Sequence, residues 1–157
     1  LFVKLILMRH GEALHPAVDP KMRLSPRGQR DAVKMGEYLK STGLVVDAVW
    51  HSPKARALET AQTVAGVLGL DPAVLQQHPE LVPEGDVVGT KNRIEWARKA
   101  GDCQGLLIVS HMPFLPQLTA SLTGGSSAAD FDTASAACFL FLDGVWTREW
   151  FQEPARL

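Results

Sequence analysis

Arg9-His10-Gly11 closes an apolar run over residues 2–8 and puts a cation, an imidazole and a flexible turn side by side. That combination suits a nucleophile attacking an anion. The imidazole supplies the attacking nitrogen, the guanidinium holds anionic oxygens, and glycine lets the backbone turn tightly beside a substrate. Two later segments repeat the placement. His51-Ser52-Pro53-Lys54-Ala55-Arg56 follows the apolar stretch 45–50, and Ser110-His111-Met112-Pro113 follows 106–109. Each stands where a strand hands over to a helix. Open α/β sheets bind ligands beyond the carboxyl ends of their strands, so three such segments on one edge point to one site.

The chemistry follows from the residue types. A neutral His10 nitrogen can attack phosphorus and form a covalent phosphoenzyme that water then hydrolyses. Nearby cations disfavour the charged imidazole, so Arg9 and Arg56 help keep it neutral. The same guanidinium groups can hold phosphoryl oxygens bidentately. Arg56 falls in the first turn of its expected helix, so its charge and the helix amino end face the same anion. His111 also precedes a helix and, once protonated, can donate to a phosphoryl oxygen in the transition state. No His, Asp and Glu spacing suggests a metal site, and the chemistry calls for no cofactor. His51 reads as structural, at most lining the pocket rim. His15 and His78 lie beside prolines and read as surface residues. Gly124-Gly125-Ser126-Ser127 lacks the lysine and wider glycine spacing of a nucleotide loop and reads as an ordinary turn.

The elements that must position these groups are legible. Residues 2–8, 45–50 and 106–109 are strand candidates. Ser25-Pro26 starts the first helix, with serine as cap and proline in the first turn. Ala32, Met35 and Leu39 recur at helical spacing, and Gly43 ends the helix. Ser52-Pro53 repeats the start signal, followed by Ala57, Ala61, Val64 and Leu68. Residues 70–85 form a long connection, 86–100 a helix, 113–122 another helix and 124–129 a loop. Residues 136–142 and 145–151 form a hairpin around Asp143-Gly144. Trp146 and Trp150 are expected to pack on one face of the second hairpin strand. Strands alternating with helices predict an α/β sheet covered on both faces. No repeat or linker divides 1–157, so one domain is expected.

Bulk properties narrow the function classes. With 157 residues, 16 basic and 17 acidic side chains and a net charge of −1, the chain has no basic field for nucleic acid or acidic membranes. Anion recognition must therefore be local. The opening 1–8 is short, contains Lys4 and lacks a small-residue cleavage site, which argues against a secretory signal. The uncharged stretch 104–129 contains prolines and a Gly/Ser cluster, which argues against a membrane span. Cys103 and Cys138 form no metal pair. Cys138 reads as a core thiol, and a cytoplasmic setting is expected.

These residues resemble the histidine phosphatase superfamily. The resemblance runs through Met8-Arg9-His10-Gly11-Glu12-Ala13, Leu24-Ser25 with Gly28, and Ser52-Pro53 with Arg56-Ala57 and Glu59-Thr60. It continues through Pro79-Glu80-Leu81 with Pro83 and Gly85-Asp86, then Val109-Ser110-His111-Met112-Pro113, and ends with Phe131, Thr133 and Ser135-Ala136. The Pro-Glu-Leu segment and the short length are most similar to the SixA-type phosphohistidine phosphatases. The resemblance implies a three-layer, mixed and mainly parallel sheet flanked by helices, the phosphoglycerate mutase-like fold. It implies a phosphate pocket of Arg9, His10, Arg56 and His111, with His10 transiently phosphorylated. It also implies that the substrate is phosphohistidine on a protein, such as a phosphotransfer domain.

The departures point the same way. Ala13 and Pro16 stand where phosphoglycerate mutases and many small-molecule phosphatases have serine and asparagine. The place of their proton-donating glutamate falls near Pro83. An alcohol leaving group needs a positioned acid, whereas the imidazole of phosphohistidine leaves more readily and can arrive protonated. Glu84 is the first candidate for a residual acid role, followed by Asp19 and Glu80. The connection of about 16 residues before the third helix is modest for a lid, so an open pocket is expected. The catalytic set lies within one chain, consistent with a monomer. The alternatives are a small-molecule phosphomonoesterase of the same superfamily and a non-catalytic phosphohistidine-binding module.

Overall fold

Alternation along β1 (Lys4–Arg9) sets the architecture. Leu5 and Leu7 face one layer of helices, Ile6 and Met8 face the other, and all four are buried. A strand buried on both faces must be covered from both sides, which is why it reads as continuously apolar. The computed structural model describes residues 4–101, 103–125 and 130–157. Residues 2 and 3 of the expected first strand, and 126–129 of the expected loop, lie outside the described residues.

The chain continues through α1 (Pro26–Ser41), β2 (Ala48–His51), α2 (Ala55–Leu68), β3 (Leu75–Gln77) and α3 (Val87–Ala100). It then forms β4 (Gly105–Ser110), α4 (Phe114–Thr123), β5 (Ala136–Leu142) and β6 (Val145–Gln152). The strands make one six-stranded sheet in the order β3-β2-β4-β1-β5-β6. The first four in that order run parallel, and β5 and β6 each run antiparallel to the strand before them. Met35 and Leu39 of α1 and Ala61 and Val64 of α2 pack on the face bearing Ile6 and Met8. Ile94 of α3 and Phe114 and Leu118 of α4 pack on the face bearing Leu5 and Leu7. This is the mixed, three-layer arrangement expected from the sequence.

Several local signals act as read. The Ser25 hydroxyl accepts from Gly28 N at 3.0 Å, capping α1. Such a cap stabilises a helix by about 1 kcal/mol. Asp143 and Gly144 both have positive φ, 51° and 83°, which suits a two-residue hairpin turn. Cys138 is fully buried, and its burial pushes the thiol up to about 11.

Other expectations are corrected. The 70–85 connection contains β3, a three-residue edge strand paired with β2, flanked by the short turns Pro72–Val74 and Pro79–Leu81. Three residues, of which only Leu75 is partly buried, carry too little periodicity to register in sequence. Trp146 and Trp150 do not share a face. A β-bulge between Cys138 and Phe139 shifts the pairing so that Cys138 faces Trp150 while Phe139 faces Arg148. The extra residue reverses the alternation. Trp146 therefore joins the α3/α4 side and Trp150 the α1/α2 side. His78 is not a surface residue, because its ring packs 4.7 Å from that of Trp50.

Candidate active site

The parallel pairing of β1, β4 and β2 brings three strand ends to one edge. Arg9 pairs with Ser110, and His51 pairs with Val109. The residues that follow are held by backbone bonds across the same edge. His10 N donates to Ser110 O at 3.0 Å, Ala134 N donates to His10 O at 3.0 Å, and Ser52 N donates to Val109 O at 3.2 Å. His10 is thus fixed through both its backbone groups, and its position depends on the sheet rather than on a free loop.

The imidazole of His10 is oriented by its own neighbour. Its Nδ1 lies 2.7 Å from Gly11 O. A carbonyl only accepts, so Nδ1 carries the hydrogen and donates. In the neutral ring this leaves Nε2 with a free lone pair. His10 is 7% exposed, and burial, with help from Arg56 and Arg9, pulls its pKa from 6.5 down to about 4. Neutral pH therefore finds the ring in its nucleophilic form.

The glycine beside it is held from two sides. Gly11 N donates to Thr60 Oγ1 at 3.0 Å, and that hydroxyl donates to Arg56 O at 2.7 Å. Thr60 is fully buried, so one side chain joins the Arg-His-Gly turn to the first turn of α2. On the other side, a Cβ built on Gly28 would lie 2.1 Å from Glu12 O. Only glycine lets α1 approach the turn this closely.

Arg56 is the second residue of α2. Its guanidinium has no hydrogen bond or ion pair among the described residues. Arg9 donates through Nη1 to Phe131 O at 2.8 Å, and its buried Nε has no hydrogen-bond partner among the described residues. Burial lowers both guanidinium pKa values, yet arginine stays charged. His111 is 1% exposed, with its ring centroid 4.9 Å from that of His10. Burial, then the charges of His10, Arg56, Lys54 and Arg9, hold it down at about 3.

Ser52 departs from its sequence reading. The helix starts at Ala55 with Lys54 at the cap position, and Ser52 does not cap its amides. Instead Ser52 Oγ lies 2.8 Å from His111 Nε2 and accepts from Lys54 N at 3.2 Å. A serine before a proline signals a helix start, and nothing local in the sequence shows that its hydroxyl is drawn to a histidine just beyond another strand.

Arg9, His10, Arg56 and His111 together line a cavity of about 370 Å³, completed by residues that include Glu12, Pro83, Met112 and Thr133. The acid candidates are placed differently. Pro83 is in the wall, but Glu84 is exposed in the turn beyond it and does not line the cavity. Glu80 pairs with Arg93 at 2.6 Å and lies 3.5 Å from His78, so it fixes this loop. Asp19 bonds to Arg23, which holds its carboxyl at about 2. His51 stays outside the cavity, with Nδ1 donating to Ser52 O at 2.9 Å. His15 is exposed, as read. No group of three or more His, Cys, Asp or Glu among the described residues is arranged to hold a metal ion. No helix among them is long and apolar enough to cross a membrane.

Comparison with known proteins gives consistent matches. The family model of the histidine phosphatase superfamily (branch 1) matches residues 5–82. The phosphohistidine phosphatase SixA of Escherichia coli K12 is 31% identical over 99% of this chain and 96% of its own length. The SixA homolog of Haemophilus influenzae Rd is 30% identical over 88% of each chain. A solved structure of the protein histidine phosphatase SixA complexed with tungstate superposes with a TM-score of 0.89 at 30% identity, covering 98% of both chains.

Proposed function

This chain belongs to the histidine phosphatase superfamily, and from that we propose that it hydrolyses phosphohistidine on proteins, through a covalent intermediate on His10. It has the phosphoglycerate mutase-like fold and is a hydrolase. One observation carries the mechanism: His10 is neutral, its Nδ1–H is engaged by Gly11 O, and its Nε2 is left free in a cavity shared with two arginines.

In the first half-reaction the Nε2 lone pair of His10 forms a bond to phosphorus as the substrate's P–N bond breaks. That electron pair returns to the departing imidazole, which leaves neutral if it arrived protonated. Water then attacks phosphorus, the P–Nε2 bond breaks, and its pair returns to His10. The water proton ends on phosphate or in solvent. Arg9 and Arg56 hold the phosphoryl oxygens throughout. Both guanidinium groups have N–H donors unused by the described residues.

His111 is the electrostatic partner. In the empty cavity burial, and after it the neighbouring charges, hold it neutral, but a bound phosphoryl dianion favours its protonated form. Ser52 suits either state, because its hydroxyl can donate to a bare Nε2 or accept from a protonated one. Glu84 keeps only a residual acid role in ester turnover, since Pro83 rather than a carboxylate forms that part of the wall. The imidazole leaving group explains how the reaction proceeds without one.

The partner is a phosphotransfer domain or a protein that presents its phosphohistidine similarly, and the setting is cytoplasmic. Residues 1–157 act as one domain, and a monomer suffices because Arg9, His10, Arg56 and His111 all come from one chain. The test is phosphate release from a histidine-phosphorylated phosphotransfer domain and from para-nitrophenyl phosphate, with wild type and His10→Ala. Fast release from the protein, lost in the variant, is expected. Release from the ester alone moves the assignment to a phosphomonoesterase. Binding without release from either leaves a phosphohistidine-binding module.

A further inference from the structure

The cavity wall continues past its rim. Thr133 lines the cavity and also a second groove of about 510 Å³ that runs beside α1 toward Pro154. α1 contributes Arg27, Arg30 and Lys34 to this groove, at spacings that place them on one helical face. Two of the three acidic groups of the groove are already paired. Asp31 lies 3.6 Å from Arg27 and Glu153 3.8 Å from Arg156, while Asp132 acts on the Arg9 guanidinium. Arg27 itself is also 3.6 Å from Glu12. Arg30 and Lys34 are exposed and have no ion pair among the described residues. The uncompensated charge is therefore positive, in a chain whose net charge is −1.

Part of the cavity lining has a different character. Met22, Pro83 and Met112 line it and are half-buried. Half-exposed apolar side chains beside an anion pocket, flanked on one side by free cations one helical turn apart, fit a protein surface better than a small ester.

We propose that this groove docks the protein presenting the phosphohistidine, with Arg30 and Lys34 meeting carboxylates on that partner beside its phosphorylated histidine. The inference rests on the reading of the substrate as a phosphoprotein. The partner's apolar surface next to its histidine covers Met22 and Met112, and its acidic flank lies along α1. Charge pairs of this kind steer encounter and set register more than they add affinity. Arg27 is not part of the docking pair, because Glu12 and Asp31 already hold it.

The experiment compares wild type, R30E/K34E and R30Q/K34Q on two probes. One is free phosphohistidine; the other is a histidine-phosphorylated phosphotransfer domain with an acidic face beside its histidine. The charge-reversed variant is expected to lower kcat/KM on the protein by about tenfold, through KM, and to leave free phosphohistidine unchanged. The neutral variant falls between, and added salt narrows the gap. Unchanged turnover of the protein, or an equal loss on both probes, overturns the groove and leaves the phosphatase reading intact. Wild-type turnover of free phosphohistidine alone overturns the phosphoprotein reading, and the groove with it.

Discussion

Ser52 and His111 follow neighbouring strands and meet through their side chains, Oγ to Nε2, at 2.8 Å. Both are almost fully buried, so the contact is protected from water. Ser52→Ala leaves Nε2 unpaired, and an unsatisfied buried polar atom costs roughly 1–3 kcal/mol. The expected result is a fall in kcat/KM of about tenfold or more, together with a changed ¹⁵N shift for His111 Nε2. A lower melting temperature with an unchanged shift would reduce Ser52 to a packing residue.

Thr60 makes a comparable link between the Arg-His-Gly turn and α2. Its hydroxyl is shared by Gly11 N and Arg56 O. Thr60→Val keeps the shape and deletes both bonds, whereas Thr60→Ser keeps the bonds and loses a methyl. Valine should destabilise the fold by about 1–3 kcal/mol and lower kcat, because the nucleophile and Arg56 lose their common tie. Serine should restore kcat even where it restores stability only in part. Equal kcat for both variants would place the whole effect in stability.

These two threonine and serine contacts show where sequence reading stops. The strand ends, the Ser25 cap and the hairpin turn were legible because each is local: an apolar run, a cap before proline, an Asp-Gly pair. Arg9, His10, Arg56 and His111 were legible because each sits next to such a signal, so placing the strands placed the side chains. Ser52 misled because its local pattern fits a helix cap, while its actual partner lies 59 positions away. Trp146 and Trp150 misled because one extra residue at the Cys138/Phe139 bulge reverses a period of two. β3 was missed because its three residues are held by pairing with β2 rather than by their own periodicity. The groove along α1 depends on which charges find partners, and spacing does not show that.

Glycine substitutions test the close approach of α1 to the Arg-His-Gly turn. A Cβ on Gly28 would lie 2.1 Å from Glu12 O and 2.9 Å from Glu12 N, both backbone atoms that move only with the chain. Gly28→Ala should cost about 3 kcal/mol or more and displace the turn that carries His10. Gly66 offers the contrast, since it lies inside α2 and a Cβ there meets nothing within 4 Å. Gly66→Ala should stabilise the protein by about 1 kcal/mol through helix propensity. Urea unfolding of the two variants should therefore move the midpoint in opposite directions, and a neutral Gly28→Ala would contradict the packing described.

Burial of neutral histidines should make stability depend on pH. His10 titrates near 6.5 when unfolded and at about 4 when folded, and His111 at about 3. Between those values the unfolded chain binds more protons, so stability rises with pH through this window. Above 6.5 the groups contribute no pH dependence. As pH falls toward 4, the His10 depression from 6.5 removes roughly 3 kcal/mol, after which its contribution levels off. His10→Gln keeps a polar side chain but cannot titrate. Its unfolding free energy should therefore fall less steeply than that of wild type between pH 7 and about 4.5. Using the slope rather than the absolute stability separates this effect from any packing change. Parallel slopes would mean that His10 is not held neutral in the fold. The same depression keeps Nε2 unprotonated, so kcat/KM should show no acid limb from His10 until pH approaches about 4.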